Sequence, residues 1–231
     1  MPSLKFVSQP RPQVGEFPSL PPPPPRPPAL RLVETAFLAS TAVLAWILSL
    51  TPLAPIVRLF FPIPVALGVM RWDPRTGWMT LVVSGLLLTI LMGPTRSILY
   101  VIPYAWIGQW CGELWKQGRS WYWSMLVGSL ISTGGLIFQF VFSSVMLGEN
   151  LWTYLTIQLT NLTNWLLDIT LSRLGIYWVA DPWMIQVTVI GFIALNSVIY
   201  VFTVHLVAAL VMERLRCPLP PPPRWVQFLL E

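Results

Sequence analysis

The chain has 231 residues, of which 55% are hydrophobic and only 10% charged, with a mean hydropathy of +0.66 and a formal charge of +5. That composition is too apolar for an ordinary water-soluble domain. The positive charge does not indicate nucleic-acid binding either, because the basic residues sit beside apolar runs rather than clustering among exposed aromatics.

The first 30 residues form a proline-rich tail, with Pro21 to Pro25, Arg26, Pro27 and Pro28 ahead of the first apolar run. Such a stretch favours extended polyproline II and builds no core, so it serves either as a stiff spacer or as a ligand for an aromatic groove on a partner. No apolar core followed by a small-residue cleavage site occurs within it, and the first pass is expected to act as an uncleaved insertion signal.

Crossing a hydrocarbon core takes about 20 apolar residues as helix. Runs of that kind place passes at Leu32–Leu50, Leu53–Met70, Thr76–Met92, Ser97–Trp115, Trp121–Leu147 and Trp183–Met212. The expected fold is all-α: a polytopic membrane bundle of about six helices over 31–213. Residues 150–180 are helical in period but carry Gln158, Asn161, Asn164, Asp168 and Arg173, which suits an interfacial amphipathic helix or re-entrant piece, the alternative being a seventh pass. A second proline-rich tail, 214–231, follows.

Six passes place Lys5, Arg11, Arg26, Arg31, Arg71, Arg75, Lys116, Arg119, Arg214, Arg216 and Arg224 on one side and Arg58, Arg96 and Arg173 on the other. The positive-inside rule then puts both termini in the cytoplasm of a multi-pass cell-membrane protein. Trp72, Trp78, Trp115, Trp121, Trp123, Trp178 and Trp183 flank the joints and read as headgroup anchors.

Motifs for catalysis are missing: there is one histidine, no His/Cys cluster at metal spacing, no phosphate-binding Gly-x-x-x-x-Gly-Lys loop and no Gly-x-Ser-x-Gly turn. Neither an enzymatic reaction nor a cofactor is expected. Cys111 and Cys217 fall near the cytoplasmic face, where thiols stay reduced, so packing of Cys111 is expected rather than a disulfide, with acylation of Cys217 as an alternative.

Interest lies instead in backbone irregularity within the membrane. Pro55, Pro62 and Pro64 interrupt the second pass, and Gly93-Pro94 with Pro103 form a second broken region. Proline removes a donor and frees carbonyls that need another partner, so these breaks mark a gate or ordinary kinks. On the fifth pass Gly128, Ser132, Gly135, Gln139 and Ser143 make one stripe that must face protein. Tyr100 and Tyr104 share a face of the fourth pass; Asn196, Tyr200 and Thr203 stack on the sixth. Tyr100, Tyr104, Gln139, Asn196 and Tyr200 are therefore the candidate lining of a small-molecule pocket, and interhelical hydrogen bonding without a ligand is the competing reading. His205 is expected to pair with a neighbour such as Glu113 rather than to relay protons. The first pass carries Ala36, Ala39, Ala42 and Ala45 with Ser40 beside them, a smooth surface for packing within the chain or against a partner.

Glu34-Thr35-Ala36-Phe37-Leu38-Ala39, the segment Phe61-Pro62-Ile63-Pro64, and Gly68, Arg71 and Gly77 resemble the YybS-like group of bacterial membrane proteins. That group is in turn similar to the S components of energy-coupling-factor transporters. The match covers residues 31–115, and the remainder agrees in layout. The resemblance implies six helices, a small-molecule pocket toward the outer face, and docking through Ala36, Ala39 and Ser40 to a transmembrane coupling subunit driven by ATP-binding subunits. The nearest versions of the S components' Ala-x-x-x-Ala pattern are Ala36-x-x-x-Ser40 and Thr35-x-x-x-Ala39. A membrane scaffold that holds partner proteins through its tails and first helix is the alternative, and a stand-alone channel or carrier is disfavoured by the scarcity of intramembrane carboxylates.

Overall fold

The computed structural model describes residues 27–171, 182–215 and 217. Within them the chain is a helical membrane bundle, and no strand occurs among the described residues. The expectations that rest on residues 1–26, on Arg173, Trp178 and Arg216, and on 218–231 fall outside them.

Helix α1 (Pro28–Leu48) opens with a proline in its first turn, where a missing N–H costs nothing, and buries Thr35, Leu38, Ala39, Ala42 and Val43 on one face. The second pass is broken, as its prolines require. It consists of α2 (Ala54–Val57), a 3-10 turn (Arg58–Phe60) and α3 (Ile63–Arg71). Pro55 and Pro64 stand in the first turns of α2 and α3, and Pro62 is the residue that leads into α3. The prolines therefore start helices rather than kinking one. Every residue from Phe61 to Val69 is buried, which makes α3 the centre of the bundle, wrapped by α1, α4 and α6.

Helix α4 (Pro74–Met92) is capped by Asp73, whose carboxylate accepts from the Thr76 N–H at 2.8 Å, and it ends at Gly93, whose φ of 90° suits glycine. The fourth pass is a composite of α5 (Pro94–Tyr100), a π-helical turn (Val101–Ala105) and α6 (Trp106–Lys116). Among the described residues five stretches are by themselves long and apolar enough to cross a membrane: Pro28–Leu48, Ala54–Arg71, Pro74–Met92, Trp121–Leu147 and Trp183–Arg214. The composite supplies a sixth traverse, since its pieces run on without a gap from Pro94 to Lys116 at roughly 1.5 Å per residue.

Helix α7 (Trp121–Leu147) and helix α9 (Pro182–Arg214) run antiparallel: Ser124 meets His205, Gly128 meets Val201, and Leu136 and Phe140 pack with Ile193, Val189 and Ile185. Helix α8 (Leu151–Leu171) rests on this pair through Trp152, Leu155 and Leu159. The start of α9 lies beside the end of α7, and α8 is not among the described stretches long and apolar enough to cross a membrane.

One end gathers the start of α1, the joint between α3 and α4, the end of α6 and Cys217. Arg31 pairs with Asp73 at 3.0 Å, Arg71 pairs with Glu34, the Trp72 indole donates to the same Glu34 at 2.8 Å, and Lys116 donates to the carbonyls of Val69 and Trp72. At the opposite end lie α2 with Arg58, the Gly93-Pro94 joint with Arg96, and the α7–α8 turn. Around the sides Leu44, Leu86, Ile90, Leu130, Val145 and Phe192 stand exposed, an outer surface that suits lipid tails rather than water.

Candidate functional site

Pro103 organises the site. It has no N–H to offer the carbonyl of Leu99 one turn earlier, and the helix there widens into the π turn. Gln139 of α7 supplies the missing donor, its Nε2 lying 2.9 Å from the Leu99 oxygen. The approach is close because Gly135 faces the proline ring: a Cβ there would stand 2.7 Å from the Pro103 Cβ. The small stripe of α7 thus has its explanation, with Gly128, Ser132 and Gly135 buried against α6, the π turn and α9. Gln139 mends a broken backbone, and its side chain also lies beside the Tyr104 hydroxyl.

The π turn projects Tyr100 and Tyr104 into a cluster of aromatic rings. Trp46 of α1 lies 5.1 Å from Phe61, 5.6 Å from Tyr100 and 6.1 Å from Tyr104, measured between ring centroids. Phe61 meets Tyr104 edge-on at 5.0 Å, and Tyr104 meets Tyr200 of α9 at 6.0 Å. These separations fall within the range of favourable edge and tilted ring pairs. Tyr100 and Phe61 are wholly buried, whereas Trp46, Tyr104 and Tyr200 are partly so. The Tyr200 hydroxyl donates to the Arg58 carbonyl at 3.0 Å, tying α9 to the 3-10 turn that roofs the cluster. The Trp46 Nε1 and the Tyr100 hydroxyl are buried and make no close hydrogen bond.

Of the residues expected from sequence, Tyr100, Tyr104 and Tyr200 converge here, and Gln139 stands behind Tyr104. Asn196 does not join them. It is exposed on α9, one residue away from the buried face formed by Ser197, Val201, Val204 and Ala208. The expected gate residues divide as well: Pro55 is exposed at the roof, while Pro62 and Pro64 are buried at the start of α3, where the Pro62 carbonyl presses against Gly108. On α1, Ala36 and Ser40 face outward but Ala39 is completely buried inside the bundle, because a three-residue spacing spirals round the helix. Only Ala36 and Ser40 remain open to a partner.

Trp46 and Phe61 are the members that sequence reasoning missed. A tryptophan near a helix end reads as a headgroup anchor, and Phe61 is one of several bulky residues in an apolar run.

A second buried polar group sits nearer the ion-paired end. His205 takes Ser124 as partner, with the Ser124 oxygen 2.8 Å from Nε2, and its Nδ1 lies 2.8 Å from the Val201 carbonyl. A carbonyl can only accept, so Nδ1 carries a proton; the ring is wholly buried without an ion pair among the described residues, which favours its neutral form, and Nε2 then accepts the serine hydroxyl. Glu113 is not the partner. Trp115 and Trp121 close over the imidazole edge-on at 5.1 and 5.5 Å, and both are buried, so neither anchors at a headgroup. Among the described residues no three His, Cys, Asp or Glu side chains gather. What the aromatic cluster offers is ring stacking and hydrogen-bond donation.

No curated protein and no solved structure matches the chain. Residues 39–230, from the middle of α1 onward, match the family described as "Predicted membrane protein (DUF2232)". A match over most of the length, joined to a bundle of membrane-length helices, places the chain in the DUF2232 family of membrane proteins.

Proposed function

We propose that this chain is the solute-binding membrane subunit of a transport assembly, similar in role to an S component, and that the aromatic cluster is its binding site. The observation that carries the reading is the meeting of Trp46, Phe61, Tyr100, Tyr104 and Tyr200, drawn from four separate passes, beneath a roof of short helical pieces that includes Pro55. Aromatic rings with a few polar atoms are the usual lining of a small-molecule site. The ion-paired end carries Arg31, Arg71, Arg75, Lys116, Arg119 and Arg214, and the positive-inside rule assigns it to the cytoplasm. The cluster then faces outward, and the segment Ala54–Phe60 acts as the lid. The role is binding rather than catalysis, and energy would come from ATP-binding subunits through a coupling subunit docked on the exposed Ala36 and Ser40 face of α1.

Native mass spectrometry in lipid nanodiscs tests this reading. Wild-type protein should carry a small solute, and the pair Phe61→Leu, Tyr104→Leu should lose it while keeping its helical circular dichroism. Protein that is empty in every preparation and binds no added solute saturably would overturn the proposal.

The groove of about 1060 Å³ between α1, α3 and the end of α9 favours the second reading, a scaffold that holds partner helices. Partners that persist in a mild-detergent pull-down when no solute is ever found would support it.

A further inference from the structure

Hydrogen-bonding capacity around the aromatic cluster is unbalanced. Three backbone acceptors around it are engaged: the Arg58 carbonyl by Tyr200 at 3.0 Å, the Leu99 carbonyl by Gln139 at 2.9 Å, and the Gly85 carbonyl by Ser97 and Thr89 at 2.6 and 2.9 Å. Ser84, which adjoins Tyr100, donates to the Leu81 carbonyl at 2.9 Å and makes no hydrogen bond with the Tyr100 hydroxyl. What remains without a partner is a donor on each side, the Trp46 Nε1–H and the Tyr100 O–H, both buried. An indole N–H can only donate, and a buried donor is stabilised only when something brings it an acceptor. The nearest charge is positive: the exposed Arg58 guanidinium lies within electrostatic reach of the Tyr104 and Tyr200 hydroxyls. Neither ion pair found among the described residues uses Arg58.

We infer that the cluster takes a planar aromatic solute bearing a carboxylate, stacked on Trp46 and Phe61 and held by donors from Trp46, Tyr100 and Arg58. This rests on the solute-binding reading given above. A carboxylate presents acceptors only, so it matches the two buried donors left without a partner, and Arg58 at the roof offsets its charge. An ammonium group would leave those two donors unpaired and would meet the positive potential of Arg58. Trp46 and Phe61, 5.1 Å apart, must separate by about 2 Å to hold a third ring between them. Phe61 lies between the 3-10 turn and α3, so a shift of Ala54–Phe60 opens that space while the glycine-sealed contact of α3 with α6 stays closed.

The test is equilibrium dialysis of the full chain in nanodiscs against three probes of matched shape: 2-naphthoate, 2-naphthylmethanol and 2-naphthylmethylammonium. Naphthoate should bind at least about tenfold tighter than the ammonium probe. Trp46→Phe and Tyr100→Phe keep a ring and remove only the donor, and each should weaken naphthoate by about fivefold or more. Arg58→Gln should abolish the preference of naphthoate over the alcohol, and Tyr154→Phe, at an exposed tyrosine of α8, should change nothing. Equal binding of the three probes, lost in Phe61→Leu, would overturn the donor inference and leave the binding site standing. Saturable binding of none of them would overturn this inference, while the solute-binding reading would still be decided by native mass spectrometry.

Discussion

Helices α3 and α6 meet by close backbone contact alone, whereas α7 adds a side-chain hydrogen bond to its close contact with the π turn, although both contacts pair glycine with proline. In the first, Gly108 lies against the Pro62 carbonyl, and a Cβ on Gly112 would fall 2.9 Å from the Ala66 Cα and 3.0 Å from its oxygen. Pro62 and Pro64 stand there at a helix start, and the Arg58 carbonyl four residues before Pro62 takes the Tyr200 hydroxyl at 3.0 Å. In the second, Pro103 stands inside a helical run and leaves the Leu99 carbonyl without its donor, so Gln139 must reach across. Small residues thus do two jobs in one bundle: they seal α3 to α6, and they bring a polar side chain close enough to mend a break. The sealed contact fixes the frame, and the mended one places Tyr100 and Tyr104.

Gly112→Leu should be the most damaging, costing about 3 kcal/mol or more in denaturant unfolding in micelles, since no rotamer fits against the Ala66 backbone. A loss below about 1 kcal/mol would show that α3 and α6 are not sealed. Gln139→Leu should cost about 2 kcal/mol by orphaning the Leu99 carbonyl. In a Pro103→Ala background, where the backbone can again donate to Leu99, that cost should fall by more than half; additive effects in this double-mutant cycle would remove the repair role. Ser124→Ala should cost about 1 kcal/mol by leaving His205 Nε2 without its donor, with no change in solute binding.

The smallest effect belongs to Asp73. Burial pushes its carboxyl up, but the hydrogen bonds from the Thr76 N–H and hydroxyl and the charges of Arg31 and Lys116 outweigh this and hold it below the usual carboxylate range. Its stabilising contribution is therefore complete above the unfolded carboxyl's value, about 3.9, and is lost as the pH falls through the lower folded value. Asp73→Asn should flatten the acid limb of stability measured from pH 6 to pH 3.

The sequence shows clearly what lipid and backbone chemistry impose. Apolar length marks the passes, proline marks the breaks, and the small stripe of α7 marks a face turned toward protein, since each signal acts within a single helix. Asn196 shows the limit. Helix α9 is apolar nearly all round, so nothing local fixes its rotation, and it is Ser124 and Gly128 of another helix that select His205 and Val201 for the inside. Trp46 and Phe61 were hidden for a related reason: they become a site only when separate passes meet, and no spacing along one helix records that meeting. The alanines of α1 followed a regular interval, but 3.6 residues per turn divides that interval between the inside and the outside.

The return of α9 to the end from which α1 sets out has a practical consequence. Pro27 and Cys217 flank an even number of traverses, so reporter domains fused at these two points should be delivered to one compartment, whichever way the bundle is inserted. A third reporter placed in the Gly93-Pro94 joint should read the other compartment.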